Sequence, residues 1–515
     1  MVAGARLATI IALARAGALD HAWHSFTSAG YDSDEEPAAL AVKARLLKDR
    51  GRLTQGEPRR RLYLEAARAY RRSAELRPGT YPLINAATLL LLSGDVSGAE
   101  SLACEVLDRI AREPDEPETP YWRAATRAEA LLLARRGEEA QEALAEALAA
   151  APRAWEDHAS TLRQFLLIHE ALGEDAAWLD MLRPPLSLHF SGRIGLTDEA
   201  AAEAAAAVAE LVARERIGFG YGALAAGSDI IVAEALLAAG AELHVVLPSD
   251  PESFARRSVD PYGADWRRRF ELALGAAASV YPVRPLGVSP GTATIEHADE
   301  VAAGMARLNA ERLLAGFGEL VVGRPRPARR PPEYVIEISG EAPSARAPGP
   351  DGAPAPLLAL LSINVGPAAG GEHEDRLEEV RRALDDVSAT LPPHLEGDEV
   401  VIGHSILAES VEAARRVQHR LAGRMPLRIA AHYGFIPVVR DPFLGALRPT
   451  RDGAAIVRGV ASGTPPDTIC VSLDFAAVLA AEGEEPGCAS WIGELRAFDG
   501  GPPIPLYALK PRSDD

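Results

Sequence analysis

One break in pattern constrains this chain more than any other feature. At Arg183-Pro184-Pro185 the sequence stops reading as helix after helix and begins to alternate strand with helix. Before the break, residues 1 to about 180 carry no convincing strand, only helical patches at 38–49, 61–76, 82–92, 96–112, 121–136, 138–150 and 155–171. The turns between them hold the expected stops: Pro78-Gly79, Ser93-Gly94-Asp95 and Arg136-Gly137. Paired helices of this length predict stacked repeats, each hairpin burying its apolar face against its neighbours, in preference to an ordinary bundle. Composition supports close helix packing, since 48% of residues are hydrophobic but only 5% aromatic, with alanine filling the gap. Ala66, Ala67, Ala69 and Ala74 let helices approach, and Tyr63 and Tyr70 fill what is left.

After the break an apolar run at 186–190 ends in Ser191-Gly192, and an alanine-rich helix follows at 198–214. Next come Ile217-Gly218-Phe219-Gly220-Tyr221-Gly222, then Gly227-Ser228-Asp229, a helix at 230–239 and a strand at 242–247. A helix at 266–274, a strand at 279–282, a helix at 298–314 and a strand at 319–322 continue the alternation. Such βαβ units predict a parallel sheet. Residues 325–356 are dense in proline, glycine and alanine and read as a linker with a stray strand at 334–338. Beyond it lie strands at 357–365, 400–406, 428–432, 436–439 and 468–472, with helices at 372–391 and 408–421. That pattern predicts a βα sandwich containing an antiparallel hairpin around Tyr433-Gly434. The expected organisation is multidomain: an all-α repeat domain at 1–180, an α/β Rossmann-like domain at 181–330, a linker at 331–355 and an α+β domain at 356–513.

The charge balance, 54 basic against 73 acidic residues, gives −19 with no basic stripe, which argues against nucleic acid and anionic membrane as partners. Cys104, Cys470 and Cys488 are too few and too scattered for a disulfide framework or a zinc cluster, and Cys104 is expected in a core. The apolar run at 7–14 is far short of the roughly 20 residues that span a bilayer. A cytoplasmic protein is expected. No metal or required cofactor is expected either.

The middle domain carries the strongest chemical suggestion. Ser191-Gly192 stands where a first strand ends; Gly220-Tyr221-Gly222 and Gly227-Ser228-Asp229 stand where a second gives way to a helix. Glycines there let backbone N–H groups reach an anion, and the helix N-terminus adds partial positive charge. Asp229 either caps that helix or holds a ribose hydroxyl, and Glu234 lies one turn further on. This stretch resembles the SLOG superfamily of nucleotide-binding Rossmann-like domains and the related deoxyribohydrolase-like domains. The resemblance implies a nucleotide or nucleoside ligand, with Glu234 or Asp229 as the matching carboxylate where a member cleaves N-glycosidic bonds.

Residues 360–365, 400–407, 427–434, 464–472 and 505–509 resemble class III nucleotidyl cyclases, the adenylate and guanylate cyclase fold of ferredoxin-like type. Those enzymes hold two metal ions on two aspartates so that both reacting oxygens are neutralised. The resemblance puts the first metal position on Asn364 and the second on His404, in Gly403-His404 where the family has Gly-Asp. It puts the base-reading lysine on Val400, and the transition-state asparagine and arginine on Ala455 and Gly459, with Arg458 one place off. Loss at all five positions implies a pseudo-enzyme, with a residual or heterodimeric cyclase as the alternative. The fold also implies a homodimer.

Residues 81–89, 121–129 and 178–185 resemble the tetratricopeptide-like array of the TRAF-binding region in apoptosis-signal-regulating kinases and its bacterial relatives. That resemblance implies a protein partner. Asn85, Thr88, Arg123 and Arg127, polar within apolar helices, either line a groove or bond between helices. The function expected is a bacterial-type signalling scaffold, non-catalytic, that senses a nucleotide-type ligand; hydrolysis in the middle domain is the enzyme alternative.

Overall fold

A computed structural model describes residues 2–112, 119–283, 291–324, 331–338, 355–367, 371–443, 445–483, 488–495 and 503–510. The chain divides into two compact units, residues 1–184 and 185–515.

The first unit is helical: α1 (Val2–Arg15), α2 (Leu19–Ser28), α3 (Pro37–Arg52), α4 (Gly56–Leu76), α5 (Thr80–Leu92), α6 (Val96–Arg112), α7 (Pro120–Leu133), α8 (Gly137–Ala150) and α9 (Trp155–Leu172). From α1 to α8 each helix packs on the next in chain order, while α5, α7 and α9 pack on one another and form an inner layer. The hairpins sit close because small residues meet large ones. A Cβ on Gly51 of α3 would lie 2.6 Å from the Tyr63 ring of α4. Sequence periodicity missed α2 as a separate helix, because the turn at Gly17 (φ 85°) falls inside an otherwise continuous pattern. Cys104 is exposed on α6, whose apolar face is carried by Ala99, Leu102, Ala103 and Val106 instead.

The second unit holds two large sheets. The first is parallel throughout, in the order β4-β3-β2-β1-β5-β6: β1 (Leu186–Gly192), β2 (Ile217–Gly222), β3 (Glu242–Leu247), β4 (Ser279–Pro282), β5 (Phe317–Val322) and β6 (Tyr334–Ile336). Its helices are α10 (Asp198–Arg214), α11 (Ser228–Ala238), α12 (Pro251–Ser258), α13 (Ala264–Ala276) and α14 (Thr292–Leu313). The strand read as stray is therefore β6, a sixth strand paired with β5 from Leu320↔Tyr334 to Val322↔Ile336. The remainder of the expected linker, 339–354, lies outside the described residues.

The second sheet runs β14-β15-β13-β10-β7-β9-β8. Its strands are β7 (Leu357–Asn364), β8 (Leu391–Glu396), β9 (Glu399–His404), β10 (Arg428–Phe435), β13 (Thr468–Ser472), β14 (Ala489–Leu495) and β15 (Ile504–Leu509). A small hairpin, β11 (Val438–Arg440) with β12 (Leu447–Pro449), stands beside it, and its helices are α15 (Gly371–Ala383), α16 (Leu407–Leu421), α17 (Ala455–Gly463) and α18 (Leu473–Glu482). Two sequence expectations are corrected here. The helix expected to reach 391 ends at Ala383, and Leu391 opens a strand. Tyr433-Gly434 is not a turn: β10 runs straight through, with Gly434 paired to Leu358.

The two sheets share a core. Ala298, Val301 and Ala302 of α14 join one buried cluster with Phe475, Ala476 and Ala477 of α18. A Cβ added to Gly304 would fall well inside van der Waals contact of the Ala477 carbonyl, so these helices cross backbone to backbone. Polar bridges reinforce the join. The Tyr281 hydroxyl donates to Asp474 Oδ2 at 2.6 Å, and His297 of α14 sits edge-on to Tyr433 and Phe435 of β10.

Candidate functional site

The strand-order reversal of the first sheet falls between β1 and β5, where open parallel sheets take ligands beyond the carboxyl ends of their strands. The structure does bring Ser191, Gly192, Gly227, Ser228 and Asp229 together there, but it fills the loops from within. Gly227 has φ 115°, open to glycine but strained for a side chain, and a Cβ on it would lie 2.8 Å from the Arg193 carbonyl. The Ser228 N–H donates to the Arg193 carbonyl and the Gly195 N–H to the Ala226 carbonyl. The Ser228 hydroxyl accepts from the Arg193 N–H at 3.2 Å and donates to the Val322 carbonyl at 3.4 Å. Asp229 Oδ2 accepts from the Ala225 N–H at 3.1 Å. These groups knit the β1 loop to the start of α11.

The strand glycines are spacers. A Cβ on Gly192 would meet Ser228 at 2.5 Å, and one on Gly222 would meet the Phe190 carbonyl at 2.5 Å; on Gly220 it would strike Leu236 of α11. Tyr221 stacks on His244 of β3, ring centroids 4.4 Å apart. Burial, helped by the charge of Arg312, holds that imidazole down at about 4. Glu234 does not face the crevice. It forms a bidentate pair with Arg269 of α13, at 2.8 and 2.6 Å, and Arg269 lies over the Trp266 ring. Two charged side chains that the sequence reading passed over do stand at the reversal: Arg193, just after β1, and Arg324, just after β5. Neither side chain makes a hydrogen bond or ion pair with a described residue.

In the second sheet, register separates the two expected metal positions. Strands β7 and β9 are antiparallel, with Asn364↔Glu399 at one end and Ala359↔His404 five residues away at the other. At about 3.4 Å per residue that is roughly 17 Å, too far for one substrate's paired ions. His404 is fully buried, both ring nitrogens lack a hydrogen-bond partner, and burial lowers its pKa. The Gly-Asp pair beside Asn364 is Gly397-Asp398, the two-residue turn of the β8–β9 hairpin, with Gly397 at φ 64°. A Gly-Asp pair between apolar-patterned runs is itself a hairpin signal, and it was readable in the sequence.

The donors around that turn are mostly in use. Asn364 Oδ1 accepts from the Gly366 N–H at 2.9 Å, Glu399 Oε2 accepts from the Ser362 hydroxyl, and Glu396 Oε2 accepts from Arg458 at 3.1 Å. Asp398 is exposed. Among the described residues no cluster of three or more His, Cys, Asp or Glu side chains is placed to hold a metal ion. Divalent magnesium asks for hard carboxylate oxygens, and this donor set does not fit a pair of ions. Val400 points into the core, Ala455 opens α17, and a Cβ on Gly459 would already lie 3.0 Å from Ile504. Arg458 is turned to β8 and the Arg451 carbonyl.

In the first unit, only Thr88 of the four expected groove residues faces inward, donating to Glu129 at 2.6 Å. Asn85 bonds the Tyr81 carbonyl, Arg123 the Ile110 carbonyl and Arg127 Glu146.

Residues 4–90 match the family described as Tetratricopeptide Repeats-Sensor. Tetratricopeptide-type repeats at the N-terminus are thereby shown. No curated protein matches the chain. Among solved structures, the chain is similar to adenylate cyclases from Trypanosoma brucei in their monomeric state, at 11% identity and TM-score 0.25, over 32% of this chain and 92% of that one. It is also similar to an adenylate/guanylate cyclase/hydrolase from Silicibacter pomeroyi, at 15% identity and TM-score 0.25, over 30% and 98%. A third is the guanylate cyclase domain of a Catenaria anguillulae protein in complex with GTP, at 11% identity and TM-score 0.25, over 30% and 97%. No helix among the described residues is long and apolar enough to cross a membrane.

Proposed function

We propose that this chain is a regulatory scaffold without catalytic turnover, in which a helical repeat sensor is joined to a cyclase-like sheet that has kept its fold and lost its chemistry. The observation that carries this reading is the β7–β9 register, which leaves Asn364 beside a single exposed carboxylate, Asp398. Output is by association. The helical array takes a protein partner, and the second sheet pairs with a second copy. Leu395 of β8, Val439 and Leu447 of the β11–β12 hairpin, Phe443 in its loop and Ile456 of α17 are all exposed, which favours such pairing. A nucleotide-type ligand of the middle sheet belongs to the same proposal, its phosphate held by Arg193 and Arg324 at the strand-order reversal, since the glycine loops are already bonded. Purified full-length protein incubated with ATP or GTP and Mg²⁺ or Mn²⁺ is expected to yield no cyclic nucleotide by chromatography. Turnover that is abolished by Asp398→Ala would overturn the scaffold reading.

A further inference from the structure

Helix α4 carries a basic face in a chain whose net charge is −19. In the sequence Glu57, Glu65 and Glu75 break up its arginines, so no stripe is legible there. The helix sorts them. Tyr63, Ala66, Ala67, Tyr70 and Ala74 are buried, and α4 packs on α3 and α5. Arg60, Arg61, Arg68 and Arg71 stand together on the exposed side, within about 100° of arc at 3.6 residues per turn. None of them forms a hydrogen bond or ion pair with a described residue. Arg68 and Arg71 are i, i+3 neighbours whose like charges repel, so the stripe lacks a counter-charge of its own. Arg72 beside them is already bonded to Glu35 and Glu75.

Helix α10 has the complementary pattern. Glu199, Glu203 and Glu210 lie within about 40° of arc. They are exposed and bond no described residue. Between them the exposed face is alanine, at Ala206 and Ala213, which lets a second helix approach closely. Set antiparallel to α4, with Glu199 opposite Arg71, this face brings Glu203 beside Arg68 and Glu210 beside Arg60 and Arg61. Arg214, the only basic residue of α10, whose Nε donates to Glu215, then falls beside Glu57 in the first turn of α4. Every offset is within one residue, or about 1.5 Å of helix rise, so the two faces match in spacing as well as in sign.

We propose that α4 of one copy docks antiparallel on α10 of a second copy, arginines against glutamates. This adds a contact to those of the proposed association and depends on none of them. Exposed ion pairs are individually weak and are screened by salt, so the docking needs the whole stripe and weakens as ionic strength rises. The chain's net charge of −19 disfavours nucleic acid as the occupant, whereas an acidic helix face of matched spacing is present on every copy.

Sedimentation velocity on the full-length protein at about 50 mM and about 500 mM NaCl reads the salt-sensitive part of self-association. Wild type is expected to associate at low salt and to bind itself about tenfold or more weakly at high salt. Arg61→Glu/Arg68→Glu and Glu203→Arg/Glu210→Arg are each expected to lose this association, because like charge then faces like. The substituted side chains are exposed and unbonded, so neither variant should melt lower than wild type. Mixed in equal amounts, the two variants present opposite charges in both directions and should associate as wild type does, a result that no folding defect can give. Pairing through the second sheet is apolar and common to every variant, so its failure would show instead as loss of a salt-resistant dimer. Wild type without salt-sensitive association, undiminished association of either variant alone, or a mixture that stays apart would overturn the proposal. So would a single-stranded RNA that binds wild type in place of self-association and is lost with Arg61→Glu/Arg68→Glu, which would assign the stripe to nucleic acid.

Discussion

Gly304 is where two helices of different sheets come closest, and replacing it with alanine isolates the energetics of that join. Helix propensity alone favours alanine over glycine by about 1 kcal/mol. Against this, the new Cβ would fall on the carbonyl oxygen, carbonyl carbon and Cα of Ala477. All three are backbone atoms, which no rotamer change can move, so α14 or α18 must shift as a body. Overpacking of this kind costs about 1–3 kcal/mol, and a backbone obstacle belongs at the upper end, leaving a net loss of about 2 kcal/mol. Gly275 supplies the control: it lies in α13 with nothing within 4 Å of its added Cβ. There the same substitution should gain about 0.4–1 kcal/mol by restricting the unfolded chain. Urea titrations of both variants, with hydrogen exchange read on α14 and α18, make the comparison. Gly304→Ala is expected to unfold at lower urea and to lose protection in both helices, while Gly275→Ala does neither. Equal midpoints for the two variants would show that the helices are not in backbone contact, and the shared core would go with it.

Two further predictions concern ionisable groups at the same join. His297 is 1% exposed with both ring nitrogens unpartnered, and burial holds its pKa at about 4. The unfolded imidazole binds its proton near pH 6.5 while the folded one stays neutral, so stability falls as pH drops from about 6.5 to 4, by about 3 kcal/mol in all. His297→Phe, flanked by Tyr433 and Phe435, should flatten acid unfolding over that window and raise stability at neutral pH by about 1–3 kcal/mol, measured by denaturation at stepped pH. Asp474 has the opposite sign: burial raises it to about 6, against the hydrogen bond from Tyr281 that favours the ionised form. The unfolded carboxyl ionises near 3.9 while the folded one holds its proton, so this group costs stability as pH rises from about 4 to 6, by about 3 kcal/mol. Asp474→Asn should remove that decline and leave the acid side unchanged; a profile still falling from pH 4 to 6 would count against a protonated Asp474.

Much of the fold was legible because periodicity is a local property. The helices from α3 to α9 match the sequence patches to within a few residues, since each has an apolar face of its own and a glycine or proline stop. Elements defined by a partner were not legible. Strand β6 is three residues long and exists only because β5 offers it an edge. Strand β8 begins Leu391-Pro392-Pro393, which reads as a helix end until β9 folds back on it. The join of α14 to α18 had no signal at all, because Gly304 in an alanine-rich helix looks like one more small residue.

What surrounds the candidate site residues was not legible in the sequence for a sharper reason. Glycine-rich loops at strand ends are the signature of an approaching phosphate, but a phosphate and a neighbouring strand ask the same thing of a glycine, which is the absence of a Cβ. At Gly222 the approaching group is the Phe190 carbonyl, and at Gly192 it is Ser228. Motif order misleads in the same way. Gly403-His404 stands in the expected place along the chain, yet a strand turns five residues into roughly 17 Å, and the antiparallel pairing puts Gly397-Asp398, not His404, beside Asn364. Register is set by the hairpin turn, and the turn was marked by glycine at a positive φ. The charges left without partners are the ones no motif contains. Arg193 and Arg324 flank a strand reversal. What makes them candidates is a missing partner, a property of the folded chain that no spacing rule encodes.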